Sequence, residues 1–147
     1  MSMIDELKSL DWANSHKPWM HFALQEIGVK EKEHGDNPRI IAYHAKTSLQ
    51  AQSDEVPWCS AFVNWCVSNC GIKSTRDAMA RSWLSWGRSC DYEKGCVVIL
   101  KRGTGWQGHV GFAVNKVGPV VWILGGNQNN EVNITAYPTW RVLGYRK

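Results

Sequence analysis

The run Pro57-Trp58-Cys59-Ser60-Ala61-Phe62-Val63-Asn64-Trp65-Cys66-Val67-Ser68-Asn69-Cys70-Gly71 reads as a buried helix with a cysteine in its first turn. Phe62, Val63, Cys66, Val67 and Cys70 recur at the spacing that lays one apolar stripe along a helix. Pro57 marks the entry and Gly71 the exit. Upstream, Pro18 opens a second helical pattern through Trp19, Phe22, Ala23 and Ile27, ending at Gly28. Asn37-Pro38 is a cap followed by a first-turn proline, which starts a short helix through Ile40, Ile41 and His44. Downstream, Arg76–Trp86 reads as a further helix capped by Ser74 or Thr75.

After Gly87 the period changes. Cys96–Leu100, Gly108–Asn115, Val120–Leu124 and Arg141–Arg146 are rich in Val, Ile and aromatics, as strands are. Gly118-Pro119 is a turn signal, so the second and third of these form an antiparallel hairpin. Helices first and strands later give an α+β domain with N-terminal helices packed on an antiparallel sheet. Residues 1–15 read as an N-terminal arm and 16–147 as a single domain.

The bulk numbers narrow the classes. A chain of 147 residues with 44% hydrophobic residues fits one domain with a real core and no disorder. The longest apolar runs are too short to span a bilayer, so no stable membrane insertion is expected. The start lacks the apolar stretch of a secretory signal, which implies synthesis in the cytoplasm. Net charge is +4, with the cations scattered and not striped, so no nucleic-acid partner is expected. Five cysteines, an odd number and without a Cys-x-x-Cys pair, argue against a disulfide framework and a structural zinc. A bridge between Cys90 and Cys96 is left open.

A thiol attacks as thiolate, and the unpaired N–H groups and dipole of a helix start favour that anion. The same N–H groups can hold the oxyanion of a tetrahedral intermediate. Cys59 is placed for both, whereas Cys66 and Cys70 lie on the apolar stripe and are inert. The base is His109, at the start of a strand between Gly108 and Gly111. Counting back from the turn at Gly118 puts Gly126 and Asn127 opposite it. Asn127 is therefore the expected third residue, orienting the imidazole, with Gln128 in reserve. Trp58, Ser60, Trp83, Trp86 and Gln128 are the expected substrate-binding residues, aromatic side chains being good platforms for sugars and peptides, with core packing the alternative for the three indoles. No metal or organic cofactor is required.

The chain also resembles the NlpC-like and CHAP (cysteine, histidine-dependent amidohydrolase/peptidase) peptidoglycan hydrolases, in particular a short phage-type subgroup. The resemblance is carried by Glu55–Trp65, Ala80–Leu84, Gly108–Phe112 and Leu124–Gln128 and covers nearly the whole chain. It implies a papain-like fold and hydrolysis of an amide bond of the bacterial cell wall through a thioester, with Cys59 as nucleophile and His109 as base. The family commonly opens the first strand with Gly-Asp, where this chain has Gly95-Cys96. The biological setting expected first is a phage endolysin, a monomer released to the wall by a holin. A toxin delivered by a secretion system, with its own immunity protein, comes second. A Trp-rich glycan- or nucleic-acid-binding module without catalysis is the alternative of a different class.

Overall fold

The computed structural model describes residues 2–147, an α+β arrangement in which helices cover an antiparallel sheet. The α-helices are α1 (Met3–Lys8), α2 (Trp19–Gln25), α3 (Pro38–His44) and α4 (Cys59–Asn69). The strands are β1 (Ser89–Cys90), β2 (Val97–Lys101), β3 (Gly108–Val117), β4 (Val120–Gln128), β5 (Glu131–Pro138) and β6 (Val142–Arg146). They form one sheet in the order β1-β6-β2-β3-β4-β5, every neighbouring pair antiparallel.

Local chemistry explains most of these elements. The Asn37 side chain accepts from the Arg39 N–H at 2.9 Å, and Pro38 fills the first turn of α3. Gly71 leaves α4 in the left-handed conformation with φ 74°. Gly118 turns β3 into β4 with φ 55°, as its sequence context indicates. Asn129 and Asn130, both at positive φ, form the two-residue turn between β4 and β5.

The stripe of α4 does what its spacing indicates. Phe62, Val63, Cys66 and Val67 are fully buried against Val110, Phe112 and Leu124 of the sheet and Met20 and Tyr43 of the neighbouring helices. Gly126 lets β4 approach this helix closely. A Cβ there would stand 2.7 Å from the Trp58 ring and 2.8 Å from Cβ of Phe62. The other sheet face buries Cys96, Val98, Leu100, Ala113, Val121 and Ile123, with Tyr92, Tyr137 and Tyr145 packed on them.

Three features add to the sequence expectation or differ from it. Residues 3–14, within the expected N-terminal arm, pack onto the domain: Leu7 and Trp12 are buried in the main core, and the Trp12 indole donates to the Leu7 carbonyl at 2.8 Å. Two large apolar side chains near the terminus are enough to anchor it. The helix expected over Arg76–Trp86 is only a 3₁₀ turn, Ala80–Ser85. Asn64 Oδ1 takes the Arg76 N–H at 2.6 Å, Asp77 Oδ1 takes that of Met79 at 2.8 Å, and Arg76 sits at φ 54°. Polar side chains thus claim the backbone before a helix can. Finally, β5 and the short β1 were not expected, and β5 covers the sheet edge beside the hairpin.

Candidate active site

Cys59 opens α4, and Trp58, its N-cap, supplies no side-chain capping bond. The first-turn N–H groups are therefore open to other acceptors. The thiol sits near the N–H groups of Ser60 and of Cys59 itself, and across the helix–sheet gap near that of Val110 on β3. It is nearly buried, at 6% exposure. Burial pushes the thiol above its usual range, and the three N–H groups and the Arg102 charge oppose that only in part. The helix-start N–H groups favour the thiolate as the sequence indicates, and burial works against it.

His109, the residue before Val110, is 4% exposed and begins β3 opposite Leu100. Its Nε2 is 2.9 Å from Oε1 of Gln128, and the Tyr137 ring lies against the imidazole with centroids 5.4 Å apart. Gln128 is itself fixed, because its amide nitrogen donates to the carbonyls of Ile123 at 3.1 Å and Asn133 at 2.8 Å. Its Oε1 must then accept, so Nε2 of His109 carries the proton and Nδ1 is the basic nitrogen. Burial lowers the imidazole to about 4, with the Gln128 bond opposing and the charges of Arg102 and Arg141 adding to the drop. Burial thus works against the charged form of both groups, the thiolate and the imidazolium. Among the described residues no hydrogen bond joins them directly, and such contacts often tighten only when substrate arrives.

Asn127, the expected orienting residue, is not the one that reaches His109. The β4–β5 register slips between Gly125 and Gln128, and Asn127 sits at φ 56° in that bulge. The extra residue flips the alternation, so Gln128 takes the face on which Asn127 would otherwise lie. Gly125 leaves room for the pair, since a Cβ there would stand 2.7 Å from the Gln128 oxygen and 3.4 Å from Nε2 of His109.

The expected substrate-binding residues are structural for the most part. Trp58 is fully buried and its indole donates to Glu31 Oε1 at 2.9 Å. Ser60 and Trp83 are also fully buried and bonded to each other, and the Ser60 hydroxyl donates to the Asp77 carbonyl at 2.7 Å. Trp86 lines a different cavity, of about 780 Å³, with Trp19, Lys73 and Lys147. Gln128 is buried behind His109. A Trp-rich chain buries its indoles first, because each has much apolar area to hide.

The thiol instead opens onto a cleft of about 570 Å³ lined by Leu49, Val56, Pro57, Met79, Arg81, Arg102, Trp106 and Gln107, among others. Trp106 is 68% exposed at its rim. Arg81 shapes the rim by donating to the carbonyls of Gly105 at 2.9 Å and Gln107 at 3.0 Å. Sequence reasoning missed Arg102, Trp106 and Tyr137. The signal for the first two is Arg102-Gly103-Thr104-Gly105-Trp106, a glycine-rich loop with a bulky aromatic just ahead of His109.

Among the described residues no cluster of His, Cys, Asp and Glu is arranged to hold a metal ion, and no helix is long and apolar enough to cross a membrane. No protein-family model matches the chain, and no curated protein matches it.

Proposed function

We propose that the protein is a cysteine hydrolase that cleaves an amide bond of bacterial peptidoglycan, with Cys59 as nucleophile, His109 as general base and Gln128 as the residue that orients the imidazole. The observation that carries this reading is a buried cysteine at a helix start, lying beside the backbone of the strand that bears His109. A helix-start thiol opens onto a cleft and lies against the backbone next to a histidine whose tautomer is fixed by a buried amide. Cysteine hydrolysis requires a nucleophile, a base and a third group that holds the base. The sequence resemblance supplies the substrate class.

In this mechanism Nδ1 of His109 takes the thiol proton as sulfur attacks the scissile carbonyl. The oxyanion rests on the N–H of Cys59 and a second backbone donor near the sulfur. His109 then protonates the departing amine, leaving a thioester on Cys59. Water, deprotonated by the same nitrogen, releases the acid and restores the thiol. Tyr137 and the bulge at Asn127 shield and position the base, and take no proton in the cycle.

For the setting, we rank a phage endolysin first and an antibacterial toxin with a dedicated immunity protein second. Both would use this chemistry on the wall. Digestion of purified Gram-negative peptidoglycan, with fragments identified by mass spectrometry, tests the reading. The native protein releases new fragments and Cys59→Ala releases none. Equal release by both removes Cys59 from the mechanism, and no release by either removes peptidoglycan as substrate.

A further inference from the structure

We infer that Arg102 is a carboxylate-binding residue of the cleft, selecting substrates in which a free carboxylate lies beside the amide that is cut. This rests on the proposed hydrolase reading and narrows its substrate class.

The cleft over Cys59 contains two arginines and no acidic residue. Their states differ. Arg81 is held by the Gly105 and Gln107 carbonyls through Nε and Nη2, so its guanidinium serves the loop. Arg102 is exposed, and among the described residues no ion pair engages it. Its backbone is fixed, with its N–H donating to the Gln107 carbonyl at 3.2 Å. Its charge acts on Cys59, on His109 and on Tyr137, groups drawn from three different elements around the site.

That position has a chemical consequence. A substrate carbonyl seated on the Cys59 sulfur lies in the same cleft as this unpaired guanidinium. The guanidinium offers a planar fork of donors that fits a carboxylate in two parallel bonds. A carboxamide in the same place presents one acceptor and no charge. A cation lining a partly enclosed cleft with no acid to quench it also draws anionic ligands in. Peptide stems of peptidoglycan carry free carboxylates along their backbone, and these are the groups Arg102 would read.

The test compares two preparations of peptidoglycan from one source: as isolated, and after carbodiimide-driven conversion of its carboxylates to carboxamides with ammonia. Initial rates of fragment release are measured for the native protein, Arg102→Gln and Arg102→Lys. The native protein cleaves the carboxylate form faster, by roughly 10–100-fold, the range of a charge-assisted pair. Arg102→Gln cleaves both forms at similar, low rates, and Arg102→Lys keeps part of the preference. An unchanged melting temperature shows that the variants are folded.

Equal rates on the two forms by the native protein overturn the inference while leaving the hydrolase reading intact. So does an Arg102→Gln variant slowed by one common factor on both, which would make Arg102 a general electrostatic influence on the thiol. If the native protein cleaves neither form, the hydrolase reading falls and this inference with it.

Discussion

At the scale of single residues, the site is set by a contest between desolvation and backbone dipoles. The Cys59 thiol has three N–H groups and an arginine near it and is still pushed upward by burial. His109 is pulled down to about 4 for the same reason. In the proposed mechanism the resting pair is uncharged, and the proton moves only as sulfur attacks. Alkylation of Cys59 by iodoacetamide should climb as pH rises past the ordinary thiol range, with no plateau between pH 5 and 8. A plateau there would mean a standing thiolate–imidazolium pair. The same assignment separates two neighbours. Asn127→Gly should keep near-native activity, because glycine adopts φ 56° freely and the bulge survives. Gln128→Ala should lower kcat by roughly 10–100-fold with a smaller change in KM, since the tautomer is no longer held. Steady-state kinetics on one peptidoglycan preparation distinguishes them, and the reverse order of damage would restore Asn127 as the orienting group.

At the scale of elements, the sequence was readable where periodicity and punctuation agree. The α4 stripe from Phe62 to Val67, the Asn37-Pro38 cap and the turn at Gly118-Pro119 all appear where their chemistry puts them. It was less readable where side chains compete with backbone. Asn64 and Asp77 hold the segment that propensity alone would make helical. Gln128, held in reserve behind Asn127, is the side chain that reaches His109, for a related reason. A bulge adds one residue to a strand, and counting back from a turn assumes that none is added. Strand β5 carried a signal in the alternation of Val132, Ile134 and Ala136 and in the Asn129-Asn130 turn. The contact between β4 and α4 is close at Gly126. Gly126→Ala forces a Cβ against Trp58 and Phe62, and should cost about 1–3 kcal/mol of stability. Urea denaturation measures it, and a loss below about 0.5 kcal/mol would show that the helix can simply move away.

At the scale of the whole molecule, two buried histidines tie stability to pH. His109 is lowered to about 4, and His44, fully buried with neither ring nitrogen hydrogen-bonded, is also lowered by burial. The carbonyls of Ser53 and Val56 oppose the shift at His44 without reversing it. In the unfolded chain both rings take a proton near pH 6.5, whereas folding lowers both, His109 to about 4. Their contribution is therefore fully present above pH 6.5 and is lost as pH falls below it, for His109 as pH approaches 4. For His109 alone the loss approaches about 3 kcal/mol over that window. Melting temperature should fall steadily from pH 7 to 4, and His44→Gln should flatten that fall. A melting temperature that holds constant over the range would show that the rings are protonated in the folded protein.

The whole-molecule view also shows how burial defeated part of the sequence reading. Trp58, Trp83 and Ser60, read as groove candidates with core packing the alternative for the two indoles, are buried and hydrogen-bonded inside the fold. The exposed cleft wall comes from the loop of residues 102–107, a segment without periodicity and so without a fold signal. Its chemistry was visible in the sequence; its place beside Cys59 needed the sheet.

The most direct test of the account is capture of the acyl-enzyme. The protein is mixed with soluble peptidoglycan fragments and quenched in acid within the first turnover, then its intact mass and peptide map are recorded. The account predicts a mass increment on the peptide containing Cys59, removed by hydroxylamine and absent from Cys59→Ala. Fragment release with no increment at Cys59 in the native protein, or with undiminished rate in Cys59→Ala, would contradict it.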